Sequence, residues 1–475
     1  MSAAGGELPA GAPEQAATRA GPASPPSFGL ATAVFVVVSS MIGTGVLTTS
    51  GFTVYFTGSN QVMLGLWVVG GVLAACGAVS LAELAAALPE SGGDYVYLRE
   101  AYGPLAGFLS GWVSFLIGFG GPIAASAAAA AKYLLVPLRL DAAAATAELG
   151  LATAVIVGLA VIHCLGRRST IRAQGVMTIA KLVFLVTLAV AGLALGWGRW
   201  EHLADRPPVT PSLAVAMASS LVYISYAYTG WNAAAYVAGE VARPRRNVPR
   251  AILLGTGLVT LLYLAVNLAY ALALPADAIR GIVAERGLDA VAPIAQLAAE
   301  RLVGPGVAEP LSVAIGLTLL ASVSAYVLTG PRVAAAMARA GQFPAAAGRE
   351  TRAGAPVIAT LLQAGWAIVL LWTASFETIL TYAGVGLAIF SMLSVAAVIV
   401  LRVRRPEMPR PFRVPGYPLA PIAYLLGTGL LTAAVTWERP LVAAVSAATI
   451  AAGVPVYRIW QRLAGGTCTP CEEGS

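Results

Sequence analysis

The sequence predicts an all-α polytopic membrane protein of twelve transmembrane helices. Three observations carry that fold class. Hydrophobic residues make up 58% of the chain and charged residues 11%, far from the balance of a soluble domain. Nearly uninterrupted apolar runs of about 18 or more residues recur along the whole length, enough to cross a bilayer as helices. Two of these runs are broken at their middles by polar, glycine-containing stretches. One reads Ser39-Ser40-Met41-Ile42-Gly43-Thr44-Gly45, the other Tyr226-Ala227-Tyr228-Thr229-Gly230-Trp231-Asn232. Backbone inside hydrocarbon must satisfy its own hydrogen bonds, so an unwound stretch persists only where it lines a polar cavity. Such a pair at matching positions of two halves points to a solute site near the bilayer midplane.

The elements follow in order. Residues 1–27 are rich in Ala, Pro and Gly without an apolar run, and are read as a disordered cytoplasmic tail. They lack the charged start and short apolar core of a signal peptide. Spans are placed at 29–55, 62–88, 104–136, 148–165, 173–196, 213–241, 249–273, 309–338, 356–374, 377–401, 419–436 and 439–460. The segment from Leu288 to Val303 carries Asp289, Glu300 and Arg301, and reads as an external helix or a lid. The first ten helices form a core over 28–401, in two halves, 28–196 and 213–401. Helices 11 and 12 occupy 402–462, and 463–475 is a second cytoplasmic tail. Five helices is an odd number, so the halves have opposite orientations and an inverted repeat is permitted, with a broken helix opening each half.

The net charge of +7 is nearly all arginine, since lysine occurs only at Lys132 and Lys181. Arginines collect at Arg167, Arg168 and Arg172, at Arg243, Arg245, Arg246 and Arg250, and from Arg402 to Arg413. With the spans above these loops share one side of the membrane, the cytoplasmic side by the positive-inside bias. The charge therefore sets topology rather than marking a nucleic-acid partner. Cys76 and Cys164 lie in apolar segments and behave as small hydrophobes. Cys468 and Cys471 form a lone CxxC in the polar tail, a weak metal or redox signal. With His163 and His202 the only histidines, no metal cluster, cofactor or catalytic constellation is expected, and the chain is not read as an enzyme.

The loop after the second span reads Ala82-Glu83-Leu84, then Leu88-Pro89-Glu90-Ser91-Gly92-Gly93-Asp94-Tyr95-Val96-Tyr97, and continues to Tyr102-Gly103-Pro104, Phe108 and Gly111-Trp112. It closely resembles the signature of the amino acid–polyamine–organocation (APC) superfamily. Gly239-Glu240-Val241-Ala242-Arg243-Pro244-Arg245-Arg246-Asn247-Val248-Pro249 and Met337-Ala338-Arg339-Ala340-Gly341-Gln342-Phe343-Pro344 resemble the loops after that superfamily's sixth and eighth helices. The second break looks most like the L-type amino acid transporters and their bacterial relatives. The resemblance implies the LeuT/APC-type fold, a five-plus-five inverted repeat with helices 1 and 6 broken. It also implies a multi-pass secondary transporter of the inner membrane, with an amino acid substrate and membrane lipid around it.

An α-amino acid presents a carboxylate and an ammonium at short separation. Exposed N–H groups at the start of a half-helix suit the carboxylate, and Gly43, Thr44 and Gly45 fit that role. By resemblance, the N–H groups of Thr44 and Gly45 hold the carboxylate, while carbonyls near Met41, Tyr226 and Thr229 hold the ammonium. Tyr226 stands where the family carries an aromatic gate, and Tyr326 aligns with a pocket-lining aromatic. Either could equally pack between helices. Asn232 is read as bonding to the first helix or to substrate, and Trp231 as closing the break. Lys181 sits within the fifth span, where a bare ammonium is costly. By resemblance it points at the first break, as a proton carrier or a fixed substitute for sodium; the competing reading is a lysine that snorkels to the interface. Lys132 is read as snorkelling.

Glu83, Glu90, Glu148, Glu240, Glu377 and Glu438 all fall at span ends or in loops, so no carboxylate is expected in the cavity and a neutral amino acid is favoured. Exchange and proton-coupled uptake both remain open. So do two competing readings, a transporter-fold sensor and a carrier of cationic amino acids or polyamines. Residues 137–147 hold no cysteine, so no disulfide-linked heavy chain is expected, and the protein is read as a monomer or homodimer.

Overall fold

The computed structural model describes residues 28–138, 144–204, 211–373 and 376–465. The first tail, 1–27, and Cys468 and Cys471 lie outside them. Within them the chain runs α1 (Leu30–Met41), α2 (Gly45–Thr57), α3 (Asn60–Ala87), α4 (Asp94–Tyr102), α5 (Pro104–Val113), α6 (Gly120–Leu135), α7 (Ala144–Cys164), α8 (Arg167–Leu195) and α9 (Pro211–Ala227). It continues through α10 (Ala233–Tyr236), α11 (Pro244–Ala273), α12 (Ala276–Arg286), α13 (Ile294–Val303), α14 (Ala308–Arg339), α15 (Val357–Thr373), α16 (Phe376–Arg404), α17 (Leu419–Glu438) and α18 (Pro440–Gly465). The fold is helical throughout the described residues, apart from one isolated parallel bridge between Phe28 and Val241.

Among the described residues, ten segments are long and apolar enough to cross a membrane, counting α1–α2 and α5–α6 as one each. The sixth and ninth expected spans correspond instead to two shorter apolar helices, Ser212–Ala227 and Val357–Thr373. The sixth falls short because its apolar run stops at the second break. Between α11 and α14 the chain forms α12 and α13, both too short to span. The external helix starts at Ile294 rather than Leu288, because Leu288–Val291 is a single tight turn and Pro293 blocks helix before it.

Local chemistry fixes several ends. The Ser59 hydroxyl accepts from the Val62 N–H at 3.3 Å and caps α3. Asn60 then ties that end to the Leu274 carbonyl at 3.0 Å and the His202 carbonyl at 3.1 Å. Between α5 and α6, residues Ser114–Phe119 widen into a π-helical turn ahead of Pro122, which has no N–H to donate. α15 meets carbonyls of that turn: Gln363 donates to Phe115 at 3.0 Å and Trp366 to Leu116 at 2.7 Å.

The arginine-bearing segments meet at one end of the bundle. Arg402 and Arg410 pair with the buried Glu83, and Arg405 with Glu100 at 2.8 Å. Glu240 receives Arg332 at 2.7 Å and Arg167 at 3.2 Å, and Glu350 receives Arg167 and Arg339, each at 3.2 Å.

Candidate binding site

α1 stops at Met41 and α2 starts at Gly45, so Ile42, Gly43 and Thr44 are unwound. The second break is a run of turns between Ala227 and Ala233. The breaks press on each other reciprocally. A Cβ on Gly45 would collide with the Cβ of Ala227. One on Gly230 would lie 2.7 Å from the Ser40 carbonyl oxygen, and Gly230 also holds φ +100°, which glycine tolerates and other residues resist. Gly43 differs, because nothing lies within 4 Å of where its Cβ would stand. Gly45 and Gly230 are thus contact glycines, and Gly43 opens onto free space.

A small cavity of about 20 Å³ lies between the breaks. Met41, Gly43, Thr44, Gly45, Tyr226, Thr229 and Tyr326 all line it, together with Ala125, Ser126 and Ala227. Its volume suits a water molecule rather than an amino acid. The first turn of α2 has no preceding turn to accept its N–H groups, which leaves donors and a positive dipole end at Gly45. Several carbonyls of the first break are engaged. The Tyr326 hydroxyl donates to Ser40 O at 2.8 Å, so Tyr326 both lines the cavity and holds the break. Thr229 N–H and hydroxyl donate to Tyr226 O at 3.0 and 2.8 Å. Tyr263 of α11, absent from the sequence-based site, donates to Met41 O at 2.8 Å and Ala227 O at 3.1 Å. One hydroxyl thereby joins the two breaks. In sequence Tyr263 was one aromatic among apolar neighbours, and nothing local separated it from a packing residue.

Lys181 is 0% exposed and does not reach the interface. Its Nζ donates to Ile42 O at 2.6 Å, Ser322 Oγ at 2.7 Å and Ser39 O at 3.3 Å. The lysine nitrogen thus lies directly behind the unwound backbone of the first break. A buried polar ladder continues from there through Ser39–Thr178 at 2.7 Å and Gln174–Ser324 at 2.7 Å to His163, whose Nε2 is 3.0 Å from Ser324. Lys132, in contrast, is exposed near the end of α6.

A second, larger cavity of about 230 Å³ runs beside the second break. Tyr226, Thr229 and Tyr326 belong to both cavities. Along α17 its lining steps through Tyr424, Thr428, Thr432, Val435 and Glu438, so it follows that helix almost from end to end. Asn232 lines this cavity and not the smaller one. It bonds neither to α1 nor to α2; its amide donates to Asp94 at 3.0 Å and to the Tyr236 hydroxyl at 3.0 Å. Trp231 is buried edge-to-face on Tyr424, 5.8 Å between centroids. Asp94 corrects the expectation that no carboxylate faces a cavity, for it lines this one while 5% exposed. Its Oδ2 accepts from Tyr236 at 2.7 Å and from Asn232, and its Oδ1 from Ser394 at 2.9 Å. Burial raises its carboxyl above the ordinary range against the opposing pull of those three donors.

A family model for amino acid permeases matches residues 28–457. The chain belongs to the amino acid permease family, within the APC superfamily. The permease is 30% identical to the large neutral amino acids transporter small subunit 2 of Mus musculus over 443 residues, 91% of this chain and 81% of that one. It is 30% identical to the Asc-type amino acid transporter 1 of Mus musculus over 90% of this chain and 80% of that one. To the cystine/glutamate transporter of Pongo abelii it is 28% identical over 90% of this chain and 83% of that one. These relatives are transporters, and the permease is not an enzyme.

Proposed function

We propose that this permease moves neutral L-amino acids across the cytoplasmic membrane by alternating access, as an exchanger or with protons. The observation that carries the reading is the convergence of seven sequence-identified residues on one cavity between two broken helices, with Lys181 behind it. The α-carboxylate is received by N–H groups at the start of α2, the ammonium by carbonyls of both breaks, and the side chain lies past Tyr226 and Tyr326 toward the larger cavity. Reciprocal contact of Gly45 with Ala227 and of Gly230 with Ser40 supports an inverted repeat of the halves 28–196 and 213–401. Neutral side chains are favoured because both carboxylates lining the larger cavity are engaged: Asp94 has both oxygens on side-chain donors, and Glu438, at the far end, accepts from Ser219 at 2.9 Å. The arginine-rich end faces the cytoplasm with both termini, and the chain works without a heavy-chain partner.

The test is purified protein in liposomes with a panel of radiolabelled neutral and cationic amino acids, with and without internal substrate and an imposed pH gradient. Neutral flux requiring internal substrate makes it an exchanger, and accumulation driven by the gradient makes it a symporter. Flux of cationic substrates alone would overturn the substrate class, and specific binding without any flux would favour the sensor.

A further inference from the structure

Asp94 opens α4, the short helix that follows the second long span, and it is held by three donors from two other elements. Asn232 and Tyr236 reach it from the second broken helix, and Ser394 from α16. Tyr424 of α17 and Tyr97 of α4 are the other ionisable groups in its field. No cation pairs with it among the described residues. Of the arginines on the packed elements, Arg332 is on Glu240, Arg402 on Glu83, Arg99 on Glu90 and Glu100, and Arg404 on the Ala101 carbonyl at 3.0 Å. Removal from water with no counter-charge disfavours the carboxylate as an anion, against the three donors that favour it.

The location gives this chemistry a consequence. Asp94 sits at one end of the larger cavity, and Glu438 and Arg439 line the other, at the far end of α17. Two of its three donors belong to the half-helix beyond the second break, which alternating access moves. Withdrawal of Asn232 and Tyr236 opens the carboxyl to water on the arginine-rich side. Seating them buries it while the cavity still leads away toward the opposite face.

We propose that Asp94 is a proton-binding group of the transport cycle, protonated while α10 is seated on α4 and α16 and ionised when α10 withdraws. This rests on the transport reading above and adds to it a coupling site distinct from Lys181. The proton comes from hydronium in the cavity and forms an O–H bond at Oδ1, which donates to the Ser394 oxygen. Oδ2 continues to accept from Asn232 and Tyr236. On withdrawal that O–H bond breaks and the proton passes to water on the cytoplasmic side, so no other group changes charge. The sign follows from linkage: the seated form binds the proton more tightly, so acid favours the seated form and raising the pH favours withdrawal.

The experiment uses the full chain in liposomes with one radiolabelled neutral amino acid that the wild type carries, and compares Asp94→Asn and Ser394→Ala. Uptake by the wild type rises several-fold as external pH falls from about 8 to about 5, while Asp94→Asn, a mimic of the protonated side chain, stays within about twofold and still exchanges. Ser394→Ala removes the group that accepts from the carboxyl O–H and donates to the carboxylate, so its midpoint shifts. Infrared difference spectra of the wild type contain a protonated-carboxyl band that Asp94→Asn lacks. An Asp94→Asn protein with the wild-type pH profile overturns the proposal, as does a profile that survives this change and disappears in Lys181→Ala. Should Asp94→Asn fail to reach the membrane, an unshifted midpoint in Ser394→Ala overturns it alone. A wild type with no flux of any amino acid defeats the transport reading instead, and the presence or absence of the band then decides Asp94.

Discussion

At the scale of single residues, the two glycines of the first break separate by what surrounds them. Gly45 is small because Ala227 of α9 stands against it, whereas Gly43 has open space where a side chain would go. Gly43→Leu is therefore expected to express and assemble normally while losing substrate binding by at least about tenfold, since the new side chain fills the site without displacing a helix. Binding by a scintillation proximity assay checks this, and native affinity would remove Gly43 from the site. Gly45→Leu loses binding too, but with lowered thermal stability, because it forces α2 from α9. Lys181 makes a third test. Replacing it by alanine leaves the Ser39 carbonyl without that donor and the Ile42 carbonyl with Ser322 alone inside a dry region, a cost of about 1–3 kcal/mol. Transport is expected to fall at least about tenfold with the protein still folded; full transport with an unchanged pH profile would make the lysine a packing device.

Among elements, the network around Glu240 joins the second broken helix to α8, α14 and the start of α1. Glu240 follows α10 and shares its carboxylate between Arg332 of α14 and Arg167 of α8, with side-chain exposures of 9%, 5% and 12% respectively. The same segment holds the start of α1, because Phe28 N–H donates to Glu240 O at 3.0 Å and Ala242 N–H to Phe28 O at 2.9 Å. Glu240→Gln leaves two arginines facing each other with no anion between them, a loss of roughly 3–5 kcal/mol for a broken buried pair. The expected result is a lower melting temperature and a larger inward-open fraction, read by thiol labelling of a reporter cysteine on the arginine-rich face. Unchanged labelling would confine Glu240 to folding.

What the sequence disclosed also divides at this scale. The long apolar helices and the two breaks were legible because hydrocarbon admits few alternatives, and each break displays its glycines. Asp94 was not legible, because a carboxylate in a loop signature looks the same whether water or α10 and α16 surround it; only tertiary packing buries it. The span expected at 356–374 is close to Val357–Thr373, yet at 17 residues that helix is below the length of the ten long spans.

For the whole molecule, the decisive property is how few parts must move. Tyr263 ties Met41 to Ala227, the Phe28 bridge ties the start of α1 to the end of the second break, and Gly45 and Gly230 lock the broken helices face to face. In the proposed alternating access, two helices joined at three places shift as one body, while α14, α8 and the turn braced by α15 stay behind. The small cavity holds only about 20 Å³, so an amino acid enters only when this body moves. Val38 and Val237 are both fully buried and lie on the two members of the pair. In a cysteine-free background, Val38→Cys and Val237→Cys are expected to gain reactivity to a membrane-impermeant thiol reagent together on adding substrate, with matching rates. If Val237→Cys became reactive while Val38→Cys stayed protected, the broken helices would move separately. The cavity would then be gated by the second break alone, and the shared hydroxyl of Tyr263 would be a bond that each cycle has to break.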